Sequence, residues 1–378
     1  MKTLKENLKL LAVAVMTLLI AISLTSCDEN PESVSQNQIL PESFGVDIPP
    51  SINSATINTG GRIDGKIEAE LQGDDIYRHL RLFIHVGAKS RELIEEIMTA
   101  IREFNIQGVQ TVTYQSDDDG RSKLLEVFKD VEYEGTVWEY QLTVTDLDAQ
   151  GEADGGVAMQ VFWSNNPTVG IAILKPYNLN RADRENQFDA MYRIDYNSAG
   201  NDIYDATMEV SISGLRTDRA QDDQYAMRNL RMFVGRIGDE VDVYGNSNHP
   251  RARLFSDSET PGFNWAFVAS GNRSKDIGVA EVGLPPSATD SNDRDVLLGD
   301  YSVKNVFTTR ILNAFPNISQ TDLDAFLVNT NPPGYFDENG FLSAGASPGA
   351  DWDGLAVRIE SLTPYNPYET TNLVLSFK

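Results

Sequence analysis

The sequence predicts a mainly β protein of the α+β class, with antiparallel strands and one strong helix. Three observations support this prediction. First, apolar and polar residues alternate, as in a half-buried strand, over 138–144, 192–196 and 263–267. Second, clusters of turn-forming residues, such as Ser-Asn-Asn-Pro at 164–167, separate the apolar segments. Third, the stretch 91–104 repeats its apolar residues with the period of a helix more clearly than any other.

The first 26 residues carry the features of a secretory signal peptide. Lys2, Lys5 and Lys9 provide a positively charged start, and an apolar run over 10–24 follows them. This run is too short and too one-sided for a membrane-spanning helix. We therefore expect residues 1–26 to be removed when the protein is exported.

The signal ends in Leu-Thr-Ser-Cys, and Cys27 is the only cysteine of the chain. This motif resembles the lipobox of bacterial lipoproteins, in which the signal peptidase cuts before a cysteine whose thiol then carries a diacylglyceryl group. The resemblance implies that Cys27 is the lipid attachment site, bearing fatty acids such as palmitate, and that the mature protein is bound to a membrane. Two or more acyl chains anchor a protein firmly, whereas one chain binds only marginally. An ordinary secretory signal with a chance cysteine and an uncleaved anchor are the alternatives.

Acidic residues and a Pro-rich segment follow the cysteine. Asp28 and Glu29 resemble either an inner-membrane retention signal or a surface-export signal, depending on the bacterial lineage. We expect a location in the cell envelope, at the outer membrane or cell surface rather than at the inner membrane. Residues 28–61 are rich in Pro, Ser and Asn and show almost no period, so the range 27–61 is predicted to be a lipidated cysteine with a flexible tether.

The mature chain is strongly acidic. Without residues 1–26 it has 28 Lys and Arg against 55 Asp and Glu, which gives a net charge of −27. This charge repels nucleic acid and anionic lipid head groups, so we do not expect nucleic acid as a partner. A single cysteine forms no intramolecular disulfide, so stability must come from burial and strand pairing.

Two pairs of similar segments predict an internal duplication. The sequence DGKIEAELQG at 64–73 resembles DATMEVSISG at 205–214, and RHLRLFIHVG at 78–87 resembles RNLRMFVGRIG at 228–238. The segment at 78–87 fits either a helix or a strand, but the glycines of its second copy would interrupt a helix. A shared fold would therefore make both copies β-hairpins, and chance similarity is the alternative.

We accordingly divide the mature chain into two β-rich units. The first unit covers 62–197 and contains the helix, and the second covers 198–378 and has long loops. The strands fit a sandwich, two packed β-domains or curved half-barrels. In its element order, a helix followed by a long aromatic-lined meander, the chain resembles the half-barrel lipoprotein carriers of the bacterial envelope.

Two helices are predicted. The strong helix at 91–104 has Ser90 as its N-cap. Its apolar stripe consists of Leu93, Ile94, Ile97, Met98, Ile101 and Phe104. A shorter helix is predicted at 319–328 with Ser319 as its cap.

The segment 146–157 approaches the sequence of a calcium-binding loop. Asp146, Asp148, Glu152 and Asp154 occupy positions 1, 3, 7 and 9 of an EF-hand register. Position 12 holds valine instead of a bidentate glutamate, and the segment joins two predicted strands rather than two helices. These four carboxylates are the candidate calcium ligands, and a solvated hairpin loop is the alternative. No other cofactor is expected.

No catalytic residue is predicted. The pattern Gly-x-Ser-x-Gly occurs at 345–349, but a nucleophile elbow uses the backbone N–H of the residue after the serine, and Pro348 has none. His79 and His85 would lie on one face of the predicted strand, and a metal would need a third ligand from elsewhere.

The sequence favours a non-enzymatic role. We expect a membrane-anchored lipoprotein that binds a protein, a glycan or an apolar ligand at the cell envelope, through a site that the sequence does not locate. One alternative is a carbohydrate-active hydrolase with paired carboxylates beside exposed tryptophans. The candidates for such tryptophans are Trp138, Trp163, Trp265 and Trp352, although tryptophans on alternating strands are more often buried. Another alternative is a structural subunit of an envelope complex, which predicts a large exposed apolar patch.

Overall fold

The computed structural model describes residues 39–41, 43–55, 71–102, 104, 106–183, 188–217, 225–255 and 262–378. The predicted signal peptide, Cys27 and most of the predicted strand at 64–73 lie outside the described residues.

Within the described residues, thirteen antiparallel strands form a single sheet. The strands are Gln110–Gln115 (β1), Ser122–Tyr133 (β2), Thr136–Asp146 (β3), Val157–Asn165 (β4), Thr168–Leu174 (β5), Met191–Asn197 (β6), Ala206–Ser213 (β7), Asn229–Ile237 (β8), Glu240–His249 (β9), Phe263–Asn272 (β10), Ile277–Gly283 (β11), Gly334–Asp337 (β12) and Gly340–Ala344 (β13). Each strand pairs with its neighbours in the sequence, from β1 at one edge to β13 at the other. The mainly β, antiparallel fold class is confirmed, and the sheet continues across the predicted boundary at 197/198 because β6 pairs with β7.

One long helix precedes the sheet, and the shorter helices follow or connect its strands. The helices are Gly73–Arg102 (α1), Pro176–Leu179 (α2), Val303–Ala314 (α3), Gln320–Phe326 (α4), Ala350–Ile359 (α5) and Pro367–Thr371 (α6). We call the sheet face against which α1 packs the inner face, and the opposite face the outer face. Among the described helices, none has both the length and the apolar character needed to cross a membrane.

The prediction of a strand at 78–87 is wrong, because these residues lie in the first half of α1. The helical stripe of 91–104 continues toward the N-terminus without a proline, through the buried residues Ile76, Leu80, Phe83 and Ile84. Gly87 lies close to β8, where an added Cβ would be 2.5 Å from Met232 Cε. The second copy forms the predicted hairpin, since β7 and β8 pair. The similar segments therefore fold differently.

The two predicted helices are present, with one difference at a cap. The stripe at 91–104 belongs to the second half of α1, so Ser90 is inside the helix and donates its hydroxyl to the Val86 carbonyl at 3.0 Å. The prediction at 319–328 is confirmed as α4, whose first turn is capped by Ser319 accepting from the Asp322 amide. A cap residue is a local sequence signal, and of the two predicted helices only α4 starts directly after its predicted cap.

We call residues 39–55 the N-terminal strap. Its described residues, 39–41 and 43–55, are packed against the fold and are not part of a flexible tether as predicted. Their buried apolar side chains are Leu40, Phe44, Val46, Ile48 and Ile52. Phe44 lies against β5, where a Cβ added to Gly170 would be 2.7 Å from the phenyl ring. The strap therefore belongs to the core between α1 and the inner face.

Polar contacts fix both ends of the strap to the sheet. The Ile39 carbonyl accepts hydrogen bonds from Trp163 Nε1 at 2.7 Å and from Asn165 Nδ2 at 2.9 Å. The Ser51 amide donates to Asp276 Oδ1 at 2.8 Å. The strap thus crosses the sheet from the end of β4 to the connection between β10 and β11.

The two ends of the sheet differ in the length of their connections. Because consecutive strands are antiparallel, successive connections alternate between the ends. At the end that we call the turn end, the connections are 134–135, 166–167, 198–205, 238–239, 273–276 and 338–339. At the end that we call the loop end, the connections are 116–121, 147–156, 175–190, 214–228, 250–262 and 284–333, and all but the first are longer than any connection at the turn end. The strap lies at the turn end, beside the connections that follow β4 and β10.

C-terminal segments cover two parts of the outer face. Leu355 and Ile359 of α5 join a buried apolar cluster on β10 and β11. Phe377 packs against a second cluster that contains Phe162 of β4 and Ile171 of β5. Between these covered parts, the outer face of β6 to β9 carries half-exposed side chains.

Candidate ligand-binding surface

A row of charged and aromatic side chains crosses the outer face of β6, β7, β8 and β9. Strand pairing places Asp195 opposite Glu209, which is itself opposite Phe233. Phe233 is in turn opposite Tyr244. The side chains that alternate with these residues point into the core, so these residues point to the outer face. All four are half-exposed there. We define the outer strip as Arg193, Asp195, Glu209, Arg231, Phe233, Tyr244 and Tyr365.

Three side chains of the outer strip hold one another in place. Arg231 Nε pairs with Glu209 Oε1 at 2.8 Å, and its guanidinium lies 4.1 Å from the centre of the Tyr365 ring. The Tyr365 hydroxyl donates to Glu209 Oε2 at 2.9 Å. Burial raises the pKa of Tyr365, and the Glu209 charge raises it further, so the hydroxyl stays a hydrogen-bond donor at neutral pH. The triad therefore presents a fixed orientation to a ligand.

Arg193 forms ion pairs with two carboxylates at the other end of the strip. Its Nη2 lies 2.7 Å from Asp195 Oδ1, and its Nη1 lies 2.6 Å from Glu134 Oε1. Hydrogen bonding from Arg193 lowers the pKa of Glu134, whereas burial raises the pKa of Asp195. Both arginines of the strip are thus paired with carboxylates, and the strip carries no excess positive charge.

The aromatic part of the strip is continuous. The rings of Phe233 and Tyr244 stack with centroids 4.7 Å apart and 20° between their planes. The Tyr365 ring follows at 5.5 Å from Tyr244. Aromatic planes pack against apolar faces of a ligand, and the adjacent ionic groups provide hydrogen-bond donors and acceptors. The strip can therefore hold a ligand that combines apolar surface with hydroxyl groups.

The predicted calcium loop joins β3 to β4 as expected, but basic side chains already engage its carboxylates. Asp146 is fully buried and pairs with Arg121 at 2.7 Å and with Lys123 at 3.4 Å. Asp154 pairs with Lys175 at 2.6 Å. An amine or guanidinium therefore occupies the space that a cation would need beside these oxygens.

The two remaining calcium candidates have partners of their own. Glu152 pairs with Arg181 at 2.5 Å, and the hydrogen bond from Arg181 lowers the pKa of Glu152. Asp148 Oδ2 accepts a hydrogen bond from the Ser122 amide at 3.2 Å. Over the described part of the chain, no group of three or more His, Cys, Asp and Glu is arranged to hold a metal ion. The loop is best described as an ion-paired connection.

We expect millimolar calcium to leave the thermal unfolding temperature unchanged, because three of the four candidate carboxylates, those of Asp146, Glu152 and Asp154, are already paired with Arg or Lys. Differential scanning calorimetry in calcium, and in potassium chloride of matched ionic strength, measures this. An unfolding temperature that rises in calcium and returns with a chelator would show that a cation displaces the basic side chains.

The Gly-x-Ser-x-Gly pattern does not form a nucleophile elbow. Ser347 lies in an exposed segment before α5 and donates its hydroxyl to Asp353 Oδ1 at 2.6 Å. The nearest strand, β13, ends at Ala344, and the turn after it leads into a short exposed loop. The serine hydroxyl is therefore bonded to the exposed carboxylate of Asp353 in α5.

The three histidines lie on two elements, α1 and β9. His79 and His85 are both on α1, and the prediction that they share one face of a strand is wrong. His85 Nδ1 is 2.8 Å from Asn53 Oδ1 of the strap, and burial lowers the pKa of His85. His249 Nε2 is 2.8 Å from the Ser247 hydroxyl, but both residues are fully buried and out of reach of a substrate.

The tryptophans do not form an exposed sugar-stacking surface. Trp138, Trp163 and Trp265 are buried on strands, as expected for alternating segments. Trp352 on α5 is half-buried and donates its Nε1–H to the Phe336 carbonyl at 2.9 Å. The aromatic residues available to a ligand on the outer strip are instead phenylalanine and tyrosine.

Sequence reasoning missed the outer strip, although part of its signal was present. The alternation of Leu230, Met232 and Val234 identifies the buried face of β8, so Arg231 and Phe233 must point the other way. The neighbours of these two residues depend on the pairing register of β7 and β9, which the sequence does not reveal.

Comparison with known proteins finds no protein-family model, no curated protein and no solved structure that matches this chain.

Proposed function

We propose that this protein is a lipid-anchored, non-enzymatic binding protein of the cell envelope, held at the outer membrane or cell surface through Cys27. The Leu-Thr-Ser-Cys motif after a charged and apolar leader supports the anchor. The outer strip supports the binding role, because its half-exposed rings and ion pairs are fixed by mutual contacts before any ligand arrives.

The ligand that fits the outer strip best is a neutral glycan. Phe233 and Tyr244 offer half-exposed apolar ring surface to sugar rings, while Arg231 and Glu209 offer donors and acceptors to hydroxyl groups. An acidic polysaccharide is disfavoured, since the arginines are already paired and the mature chain has a net charge of −27.

A carbohydrate-active hydrolase is the second candidate. Asp195 and Glu209 face each other across β6 and β7, and burial raises the pKa of Asp195, as a proton-donating carboxyl requires. Each of the two carboxylates is bonded to an arginine, which stabilises its charged form and opposes proton donation. We therefore place hydrolysis second.

Affinity electrophoresis in gels that contain neutral glucans or mannans tests the binding role. We expect the native protein to be retarded, and Tyr244→Ala or Phe233→Ala to reduce retardation, each lowering affinity by about 2- to 10-fold because one ring is lost. Phe128→Ala is the matched control, since this exposed ring on β2 lies outside the outer strip.

The alternatives give different results in the same assay. A native protein that no neutral glycan retards would refute the glycan as ligand, and retention by acidic polysaccharides alone would do the same. Release of reducing sugar that Asp195→Asn abolishes would show a hydrolase. Loss of palmitate labelling in Cys27→Ser, with the protein leaving the membrane fraction, is the expected result for the anchor.

A further inference from the structure

We infer that the turn end of the sheet faces the membrane and that the loop end points away from it. This inference rests on the proposed lipid anchor at Cys27. The orientation determines which surface of the protein contacts the bilayer and how the outer strip lies relative to the membrane.

The strap fixes the place where the chain enters the fold. Ile39, its first residue, is bonded to Trp163 and to Asn165, the last residue of β4, and so lies beside the 166–167 turn. The strap then stays at the turn end as far as Ser51, which is bonded to the 273–276 connection. The lipidated end of the chain therefore leaves the fold at the turn end.

The length of the intervening chain limits where Cys27 can be. Cys27 lies twelve positions before Ile39, and even a fully extended chain of that length spans at most about 40 Å. The longest strand, β2, has 12 residues and is itself about 40 Å long. To place the anchor beyond the loop end, every residue from Cys27 to Ile39 would have to be extended along the whole sheet.

Two consequences follow for the surfaces of the molecule. The short connections at the turn end, such as 134–135 and 338–339, are the parts nearest to the bilayer. The long connections at the loop end, such as 147–156 and 284–333, are directed outward, where ligands arrive. Because the outer strip crosses the strands, a glycan chain bound along it would run roughly parallel to the membrane.

Energy transfer from the protein to acceptor-labelled lipids tests the orientation. Lipidation consumes the sulfur of the only cysteine, so an introduced cysteine is the only free thiol for a donor dye. Val137→Cys at the turn end and Val328→Cys at the loop end are a matched pair, with native side chains 66% and 60% exposed. In full-length lipidated protein on phosphatidylcholine vesicles, we expect several-fold stronger transfer from position 137 than from position 328.

Two further outcomes overturn the inference and are distinguishable from each other. Equal transfer, or stronger transfer from position 328, in protein that carries palmitate would refute the orientation and leave the anchor intact. Protein that carries no palmitate and does not bind the vesicles would refute the proposed anchor, and the orientation with it.

Discussion

Deletion of the N-terminal strap, residues 39–55, is expected to unfold the protein. Its five buried apolar side chains contribute roughly 8–15 kcal/mol to folding at about 1.5–3 kcal/mol each. This is about the whole free energy of unfolding of a typical domain, which is roughly 5–15 kcal/mol. Circular dichroism of the variant with residues 39–55 removed should show loss of the cooperative thermal transition.

Point variants distinguish the loss of buried strap side chains from the shortening of the chain. Phe44→Ala should lower the free energy of unfolding by about 3–5 kcal/mol, because it leaves a cavity beside Gly170. Asp47→Asn is the matched control, since Asp47 pairs with Arg91 of α1 while remaining 63% exposed, and should lower it by less than about 1 kcal/mol. A strap that can be deleted without effect would mean that residues 39–55 are a tether after all.

Lys123→Met is the second variant with a large expected effect. The Lys123 amine is 1% exposed and lies 3.1 Å from Asp119 and 3.4 Å from Asp146, and it donates to the Asn178 carbonyl at 3.0 Å. Removing it leaves the nearly buried carboxylate of Asp119 without its ion-pair partner, although Asp146 keeps Arg121 and Arg181. We therefore expect a loss of about 3–5 kcal/mol in the free energy of unfolding. Urea unfolding followed by tryptophan fluorescence measures this loss.

Lys275→Met is the control for Lys123→Met, because it makes the same chemical change at an exposed ion pair. Lys275 and its partner Asp351 are 52% and 63% exposed, and their separation should cost less than about 1 kcal/mol. Equal effects of the two variants would contradict the structural importance of burial at Lys123.

Acid should weaken the network around Lys123. Burial alone would raise the pKa of Asp119, but hydrogen bonds from the Arg181 amide and from Lys123 outweigh it, so the pKa lies below its usual value. The stabilisation from Asp119 is therefore complete above the ordinary carboxyl pKa of about 3.9 and is lost as the pH falls through the lowered value.

Local alternation predicted the strands well, and its failure has a physical cause. The segment 78–87 satisfies the periods of both a strand and a helix, so a ten-residue window does not distinguish them. The window becomes decisive only when it extends to 73–102, where one apolar stripe continues without a break. Similarity to the β8 segment was misleading, because a few shared residues do not impose a shared fold when their neighbours differ.

The strap shows that amino-acid composition alone does not distinguish a flexible tether from a packed extended segment. Pro41, Pro49 and Pro50 suggested a tether, but proline also suits an extended segment that makes no ladder hydrogen bonds. Phe44 and Val46 are buried on either side of a half-buried Gly45, which is the alternation of a packed extended chain. The contacts that stabilise this segment lie far away in the sequence, so no local pattern could reveal its burial.

The pairing of each strand with its sequence neighbour sets an order for folding during synthesis. Hairpins such as β2 with β3 can form as soon as both strands leave the ribosome, because their partners are adjacent. The strap is made before any strand, yet Ser51 bonds to Asp276, 225 residues later. The last part of the strap must therefore wait for the connection between β10 and β11, and a chain stalled before β11 would leave Ile52 without its partners on these strands, as a target for chaperones.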